Sequence, residues 1–385
     1  MRILYVISDL TFGGAEKQLV ELARQLSHAG HEIVIYTLNR DVPRRPELEG
    51  SGVTLMTDQK HARLDLPLLW RLRTTIDRWR PDIVHSFLFD ADIHSRLAAV
   101  GTGIPVLNSE RSHNYTLPPL SLLAHRLTRR LVDGVVANTH SGRDFARKLF
   151  ALDPGNVHLV RNGLRIEELE RQATTDADHR AEFFGPGRFR VACLVGAIKP
   201  AKDYRLALDA ADRLIAANPE WRVLLIGDQV SSVGAYKPGR DSDSGAYKAE
   251  ILRHYETLST RDSIRMTGLR TDVPAIVRQC DLLYITSEHE GSPNVVLEAM
   301  ALGVPVVSTE YSDIRRVLPF PQQVVAERSA EALSRSMLWS QANRERIIAM
   351  QKQWVQANAR IENMALELER IYRGYVGEHT SPQPA

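Results

Sequence analysis

The chain has 385 residues, 43% apolar and 25% charged with few aromatics, which excludes a disordered chain and a fibre. Its length calls for two domains rather than one core, and no apolar run reaches the roughly 18 residues that span a bilayer. Net charge is only +2, so no nucleic-acid partner is expected, although residues 1–165 hold 22 Lys/Arg against 17 Asp/Glu and the remainder 27 against 30, or +5 and −3.

Met1-Arg2 runs straight into an apolar strand signal, Ile3–Ser8, unlike the start of a cleaved signal peptide. A Gly13-Gly14 loop then opens an amphipathic helix, Glu16 to His28. Glycines there let backbone approach a phosphate, and a helix N-terminus favours negative charge. The dinucleotide pattern GxGxxG is absent, which argues against NAD. Strand signals follow at 31–38 and 53–56, then a helix over Leu68–Trp79, a strand at 82–87 ending near His85, and a strand at 105–109. A helix over Leu120–Val132 and strands at 134–139 and 156–162 complete the first half. Asp90 and Asp92, just after His85, suit acceptor hydroxyls or a helix cap. The helices in LPLLWRLRTTIDRWR and LPPLSLLAHRLTRRL set apolar faces beside Arg71, Arg73, Arg126, Arg129 and Arg130, a pattern that fits either a packed helix or one lying on an anionic membrane.

Residues 166–187 are polar and strand-free, as a linker should be. The strand and helix rhythm then restarts with strands at 189–198, 221–228, 263–268, 280–287 and 305–310, and helices over Tyr204–Ala217 and Lys248–Ser259. Short apolar strands separated by helices specify parallel sheets covered on both faces. The fold class is therefore α/β, with two doubly wound Rossmann-like domains and a cleft between them. Cys193 and Cys280 fall in strand-like stretches, so buried free thiols and a reducing, cytoplasmic compartment are expected. Residues 229–247 interrupt the rhythm as a polar insertion, either a lid or an inert surface loop.

Chemistry concentrates in Ser287–Pro305, SEHEGSPNVVLEAMALGVP. Glu290 and Glu298 flank a turn, Gly291-Ser292-Pro293-Asn294, and a short apolar helix. Pro293 fits the first helical position, and Gly303-Val304-Pro305 ends the helix. Free N–H groups at the helix start make an anion site suited to a phosphate. A carboxylate on each side of a phosphate cradle suits a sugar nucleotide, which has hydroxyls at both ends of a diphosphate. Lys199 and Lys202, after the second half's first strand, stand where a diphosphate needs cations. The thirteen histidines form no HExxH, and no metal cluster or other cofactor is indicated.

These features resemble the family 4 (group 1) retaining glycosyltransferases of the GT-B fold. The resemblance runs from the first strand to about Arg373, leaving out the insertion. Its most specific element is the E-x7-E pair Glu290 and Glu298; weaker blocks are GGAE at 13–16, HSFLFDAD at 85–92, NSERS at 108–112, VVANT at 135–139 and RNGL at 161–164. It implies an N-terminal acceptor-side domain (1–165), a linker (166–187), a donor domain (188–357), a helix crossing back to the first domain (358–376) and a disordered tail (377–385). Glu298 would bind the ribose, Glu290 the transferred sugar, and Lys202 the diphosphate with backbone N–H groups near Gly14 and Asn294. Gly268-Leu269-Arg270 would lie beside the base. The acceptor would enter near His85, Asp90, Asp92, Glu110 and Arg111.

The chain departs from the family pattern in places. Ala197 stands where an arginine is common, Arg165 where an aspartate follows the NG turn, and Phe87 where a second histidine is usual. Tyr311-Ser312-Asp313 replaces a glycine pair. The implied function is metal-independent transfer of a hexose from a nucleotide sugar, UDP-linked on base rates, to a glycan or polyprenyl-linked acceptor in cell-surface polysaccharide synthesis, in the cytoplasm or at the inner face of the plasma membrane. A GT-B sugar-nucleotide epimerase, a non-catalytic sugar-nucleotide-binding subunit and a hydrolase are the competing readings.

Overall fold

The computed structural model describes residues 1–111, 119–150, 152–228 and 241–380, with backbone alone at 241–244 and 378–380. It divides into two units, each built on one parallel sheet. Among described residues, the first unit comprises Met1–Gly163 together with the chain from Arg360 onward; the second runs from Leu164 to Ala359.

The first unit holds β1 (Arg2–Ile7), β2 (Glu32–Thr37), β3 (Thr54–Thr57), β4 (Ile83–Phe87), β5 (Val106–Glu110), β6 (Gly134–Ala137) and β7 (Val157–Leu159). Their order is β3-β2-β1-β4-β5-β6-β7, every pair parallel. The period of two sends successive side chains to opposite faces. Leu4, Val6, Val34 and Val84 meet Leu68, Leu72 and Ile76 of the helix Leu66–Trp79 on one face. On the other, Ile3, Tyr5 and Ile7 pack with Leu19, Leu22 and Leu26 of the helix Gly14–His28 and with Met364, Leu368 and Tyr372 of the helix Ile361–Thr380.

The second unit repeats the plan with β8 (Arg190–Val195), β9 (Trp221–Ile226), β10 (Ile264–Gly268), β11 (Leu282–Ile285), β12 (Val306–Thr309) and β13 (Val324–Val325). Their order is β10-β9-β8-β11-β12-β13, again all parallel. Val191 and Cys193 face one core with Val296, Leu297 and Met300; Ala192 and Leu194 face the other with Leu208, Leu214 and Met337. Both cysteines are buried and free. In each sheet the strand order reverses at one place, between β1 and β4 and between β8 and β11. Ligands of open α/β sheets bind outside the carboxyl ends of the strands at that reversal.

Several expectations need correction. Residues 166–187 are no bare linker: they form helices Ile166–Gln172 and His179–Phe184 that belong to the second unit. Ile166 and Leu169, three apart on an otherwise charged helix, are buried in its core with Val277. The chain passes between units at Gly163 and Ala359 rather than at 165 and 357. The last helix continues through Gly377 to Thr380, so the disordered tail expected at 377–385 does not begin there; 381–385 lie outside the described residues. Residues 229–240 of the insertion also lie outside them, and the rest of it opens a helix that starts at Asp241 and stops at Glu256.

Candidate active site

The second unit's reversal point carries the strongest constellation. Beyond β8 the chain makes a short 3-10 turn, Pro200–Lys202, and then caps the helix Tyr204–Ala217 with Asp203, whose carboxylate accepts from Leu206 N–H at 3.1 Å. Gly227, after β9, lies so close to the Gly196 carbonyl, with φ of 135°, that a Cβ there would overlap it. The turn is tied to the end of β11. Thr286 Oγ1 donates to the Lys202 carbonyl at 2.7 Å, and Glu288 N–H donates to the Ala201 carbonyl at 2.9 Å. Arg328 staples the same corner, donating to Asp203 Oδ2 at 2.6 Å and to the Thr286 and Ser287 carbonyls at 2.9 and 3.0 Å.

Held this way, Lys202 Nζ lies 2.5 Å from Glu290 Oε1, with the two side chains only 13% and 17% exposed. Lys199 is on the same loop and exposed. The hydroxyl of Tyr311 is buried near Glu290; burial first, and that carboxylate second, push its pKa up. The helix Asn294–Ala301 begins one residue later than the sequence pattern implies. Pro293 is its N-cap, in extended conformation with ψ of 121°, and Asn294, itself buried, is its first residue. Gly291 and Ser292 form the approach to this N-terminus, where the helix dipole favours an anion. Glu298 is half-buried on the same helix, a little over one turn farther on.

Gly268 ends β10 with φ of 71° and accepts from Gly227 N–H at 3.0 Å. Arg270 beside it is held by two carboxylates, Asp272 Oδ2 at 2.6 Å and Glu182 Oε1 at 2.9 Å, and lies 5.4 Å over the Phe183 ring. Those partners raise its pKa above the usual arginine value.

In the first unit, Gly13 is the N-cap of the helix Gly14–His28, and Glu16 folds back so closely over it that a Cβ at Gly13 would overlap the carboxylate. That helix N-terminus already has a carboxylate of its own. His85 has no solvent exposure. Its Nδ1 lies 2.5 Å from Tyr372 Oη and its Nε2 2.8 Å from Ser109 Oγ. Burial and the nearby Arg111 hold its pKa well below the ordinary histidine value.

Arg111 is buried too, donating to Asn162 Oδ1 at 2.9 Å over the Phe87 ring, and burial pushes its pKa down to about 10. Glu110 is buried at the end of β5. Asp92 is buried, accepts from Ser86 Oγ at 2.6 Å, and is pushed up to about 7 by burial. Asp90, partly exposed, pairs instead with the buried Lys60 at 2.7 Å. Lys202 and Glu290 are thus brought together, as are His85 and Arg111, whereas Asp90 and Asp92 make separate partnerships. Sequence reasoning missed Arg328, Lys60 and Tyr372, and met Tyr311 only as a departure from the family pattern. Only Arg328 carries a local signal, standing just before the N-cap Ser329.

Among the described residues, no group of three His, Cys, Asp or Glu could hold a metal ion, and no helix is long and apolar enough to cross a membrane. Residues 12–168 match the family model described as Glycosyltransferase Family 4, and residues 176–360 match that of Glycosyl transferases group 1. The chain is 27% identical over 331 residues to a D-inositol 3-phosphate glycosyltransferase of Thermobispora bispora, covering 79% of this chain and 75% of that one. It is 23% identical over 258 residues to the Escherichia coli UDP-Gal:alpha-D-GlcNAc-diphosphoundecaprenol alpha-1,3-galactosyltransferase, covering 63% of this chain and 61% of that one. In structure it is similar to Anabaena Alr3699/HepE in complex with UDP, with TM-score 0.79, 17% identity, and 97% and 100% of the two chains covered. It is also similar to sucrose-phosphate synthase from Thermosynechococcus elongatus, with TM-score 0.77, 16% identity, and 98% and 100% covered. Both likenesses place the two parallel-sheet units in the GT-B fold.

Proposed function

The chain belongs to the family 4, group 1 glycosyltransferases, and from that premise we propose that it moves a hexose from a nucleotide sugar, UDP-linked by preference, to a glycan or lipid-linked glycan acceptor with retention at the anomeric carbon. The observation that carries this reading is the Lys202–Glu290 pair at the β8/β11 reversal, beside the N-terminus of the helix that bears Glu298. A cation, a set of N–H dipoles and two carboxylates in that order match diphosphate, sugar and ribose. The UDP named in the Anabaena structure and the diphosphoundecaprenol acceptor named in the E. coli relative support the choice of donor and acceptor class.

In such a transfer the bond from the anomeric carbon to the diphosphate breaks, and negative charge grows on the leaving phosphate. Lys202 and the N–H groups at Asn294 stabilise that charge more in the transition state than in the ground state. Glu290 orients the sugar through its hydroxyls, Glu298 accepts from the ribose, and Gly268 and Arg270 border the base. The incoming hydroxyl gives its proton to the departing phosphate, so no separate base is required and no metal is needed to neutralise the diphosphate. Asp90, Asp92, Glu110 and Arg111 belong to the acceptor side, where His85, with both ring nitrogens bonded, acts by positioning rather than by proton transfer.

We place the protein at the cytoplasmic membrane face, where a polyprenyl-linked acceptor would be presented. The helix Pro119–Thr128 supports this: Leu120, Leu123 and Leu127 are 58%, 49% and 75% exposed. From Arg111 to Val132 the sequence contains no Asp or Glu. The deciding experiment incubates the protein with UDP-, GDP- and ADP-sugars and a polyprenyl-diphosphate glycan, and reads the anomeric configuration of the product by NMR. An inverted product, or epimerised donor without transfer, would refute the reading.

A further inference from the structure

Lys202 and Glu290 are assigned to different parts of one donor, yet without that donor they satisfy each other at 2.5 Å. Both side chains are largely shielded from bulk water. The main chain on both sides of the pair is pinned by Thr286, by the Glu288 to Ala201 hydrogen bond and by Arg328. A diphosphate that recruits Lys202 therefore competes with Glu290 for its charge. A carboxylate left alone at such low exposure is costly, because its desolvation is no longer offset by a partner.

The intact donor and the spent nucleotide differ at that point. A nucleotide sugar brings hydroxyls that donate to Glu290 as Lys202 turns to the phosphate. A nucleoside diphosphate brings none. In place of the glycosidic oxygen it presents a further ionisable phosphate oxygen, whose charge repels a bare carboxylate. Resting on the donor-site reading above, we propose that Glu290 is a specificity determinant that rejects the spent nucleoside diphosphate. By reclaiming Lys202 once the sugar has left, it favours product release and lets intact donor compete for the site.

The consequence is asymmetric. Removing the charge of Glu290 while keeping its shape frees Lys202 for phosphate in every complex, but removes an acceptor for sugar hydroxyls only in the donor complex. Glu290→Gln should therefore bind the nucleoside diphosphate more tightly, by about tenfold or more, the lower range for a close charge pair. The same variant should bind the nucleotide sugar no better than wild type. Lys202→Gln should weaken both ligands, and in the Lys202→Gln, Glu290→Gln double variant the gain for the diphosphate should vanish.

Calorimetric titration of wild type and the three variants with UDP and UDP-glucose, and with GDP and GDP-mannose, tests this. A preference that shifts toward the bare diphosphate in Glu290→Gln, and depends on Lys202, supports the proposal. If wild type binds either pair but Glu290→Gln leaves the ratio of the two dissociation constants unchanged, or tightens the diphosphate equally without Lys202, the proposal is overturned and the donor-site reading stands. Failure of wild type to bind any of the four ligands would refute both together.

Discussion

The hydroxyl of Tyr372, on the last helix, lies 2.5 Å from Nδ1 of His85, at the heart of β4. The same hydroxyl is 3.1 Å from Tyr5 Oη on β1. One residue of the closing helix therefore completes the polar interior beneath two central strands. Tyr372→Phe should lower unfolding free energy by about 1–3 kcal/mol, since it strands a buried ring nitrogen. Denaturant unfolding measures this. If His85 positions rather than titrates, kcat should show no histidine limb between about pH 6 and 8.

Glu298 and Glu290 should fail in different ways. Glu298→Ala is expected to raise the donor dissociation constant with a smaller effect on kcat, because ribose hydroxyls lose their acceptor in ground and transition states alike. Glu290→Ala should reduce kcat more than donor affinity. Matching losses in both quantities for the two variants would contradict these roles.

Asp92 gives a pH signature in the first unit. Its pKa rises from 3.8 to about 7 on folding, mainly through burial. Between those values the folded chain holds a proton that the unfolded chain releases, so this residue's contribution to stability falls as pH rises from about 4 to 7 and is level above that. Relative to Asp92→Asn, wild type should be favoured more at pH 5 than at pH 8, by about 1–3 kcal/mol. Urea unfolding at the two pH values measures the difference, and parallel behaviour of the two proteins would refute it.

On the proposed function, transfer should persist in EDTA and gain nothing from added magnesium or manganese, because Lys202 and the N-terminus of the helix Asn294–Ala301 would meet the diphosphate. Activity lost to the chelator and restored by the metal would overturn this.

The proposed membrane-facing surface is narrower than the arginine count suggests. Arg71 is bound to Asp58 through two 2.8 Å contacts, and Arg73 to Asp77 at 2.8 Å. Arg126 and Arg130 are exposed on or beside the helix that displays Leu120, Leu123 and Leu127. Sedimentation with anionic vesicles at low salt should capture wild type. Neutralising Arg126 and Arg130, or replacing Leu127 with Ser, should release it, while Arg71→Gln and Arg73→Gln have little effect on capture. Salt should weaken the binding, since exposed charges are screened over a Debye length of about 8 Å at physiological ionic strength.

Most strands were legible because parallel sheets buried on both faces demand nearly unbroken apolar runs, as in β1 and β8. β13 is two residues long and gave no such signal. The helix Ile166–Gln172 was hidden by composition, since its two buried residues sit among charged ones. At the site, residue types and local spacing marked Glu290, Glu298 and Lys202. The pairing of Lys202 with Glu290 was not legible, because it depends on β8 and β11 being neighbours across 88 positions. The sequence leaves His85 open between a satisfied strand-end histidine and an acceptor contact, and Asp92 between a helix cap and acceptor hydroxyls, whereas the packing of the last helix and of Ser86 encloses both. Nothing local in a sequence distinguishes those two fates.

The chain's return to its first unit has a bearing on biogenesis. Residues of the helix Ile361–Thr380 line the same core as the helix Gly14–His28, and Leu164 N–H donates to the Ala359 carbonyl at 2.8 Å where the second unit opens and closes. A ribosome that has made the first 163 residues has therefore made only a core with an open side. The segment 164–359 emerges next and is contiguous, so it can finish folding first. Until the helix Ile361–Thr380 is made, the first unit lacks Met364, Leu368 and Tyr372 from the core they share with Leu19, Leu22 and Leu26. Termination before that helix should consequently yield aggregated protein rather than a shortened enzyme, and nascent chains in this interval are natural clients for chaperones.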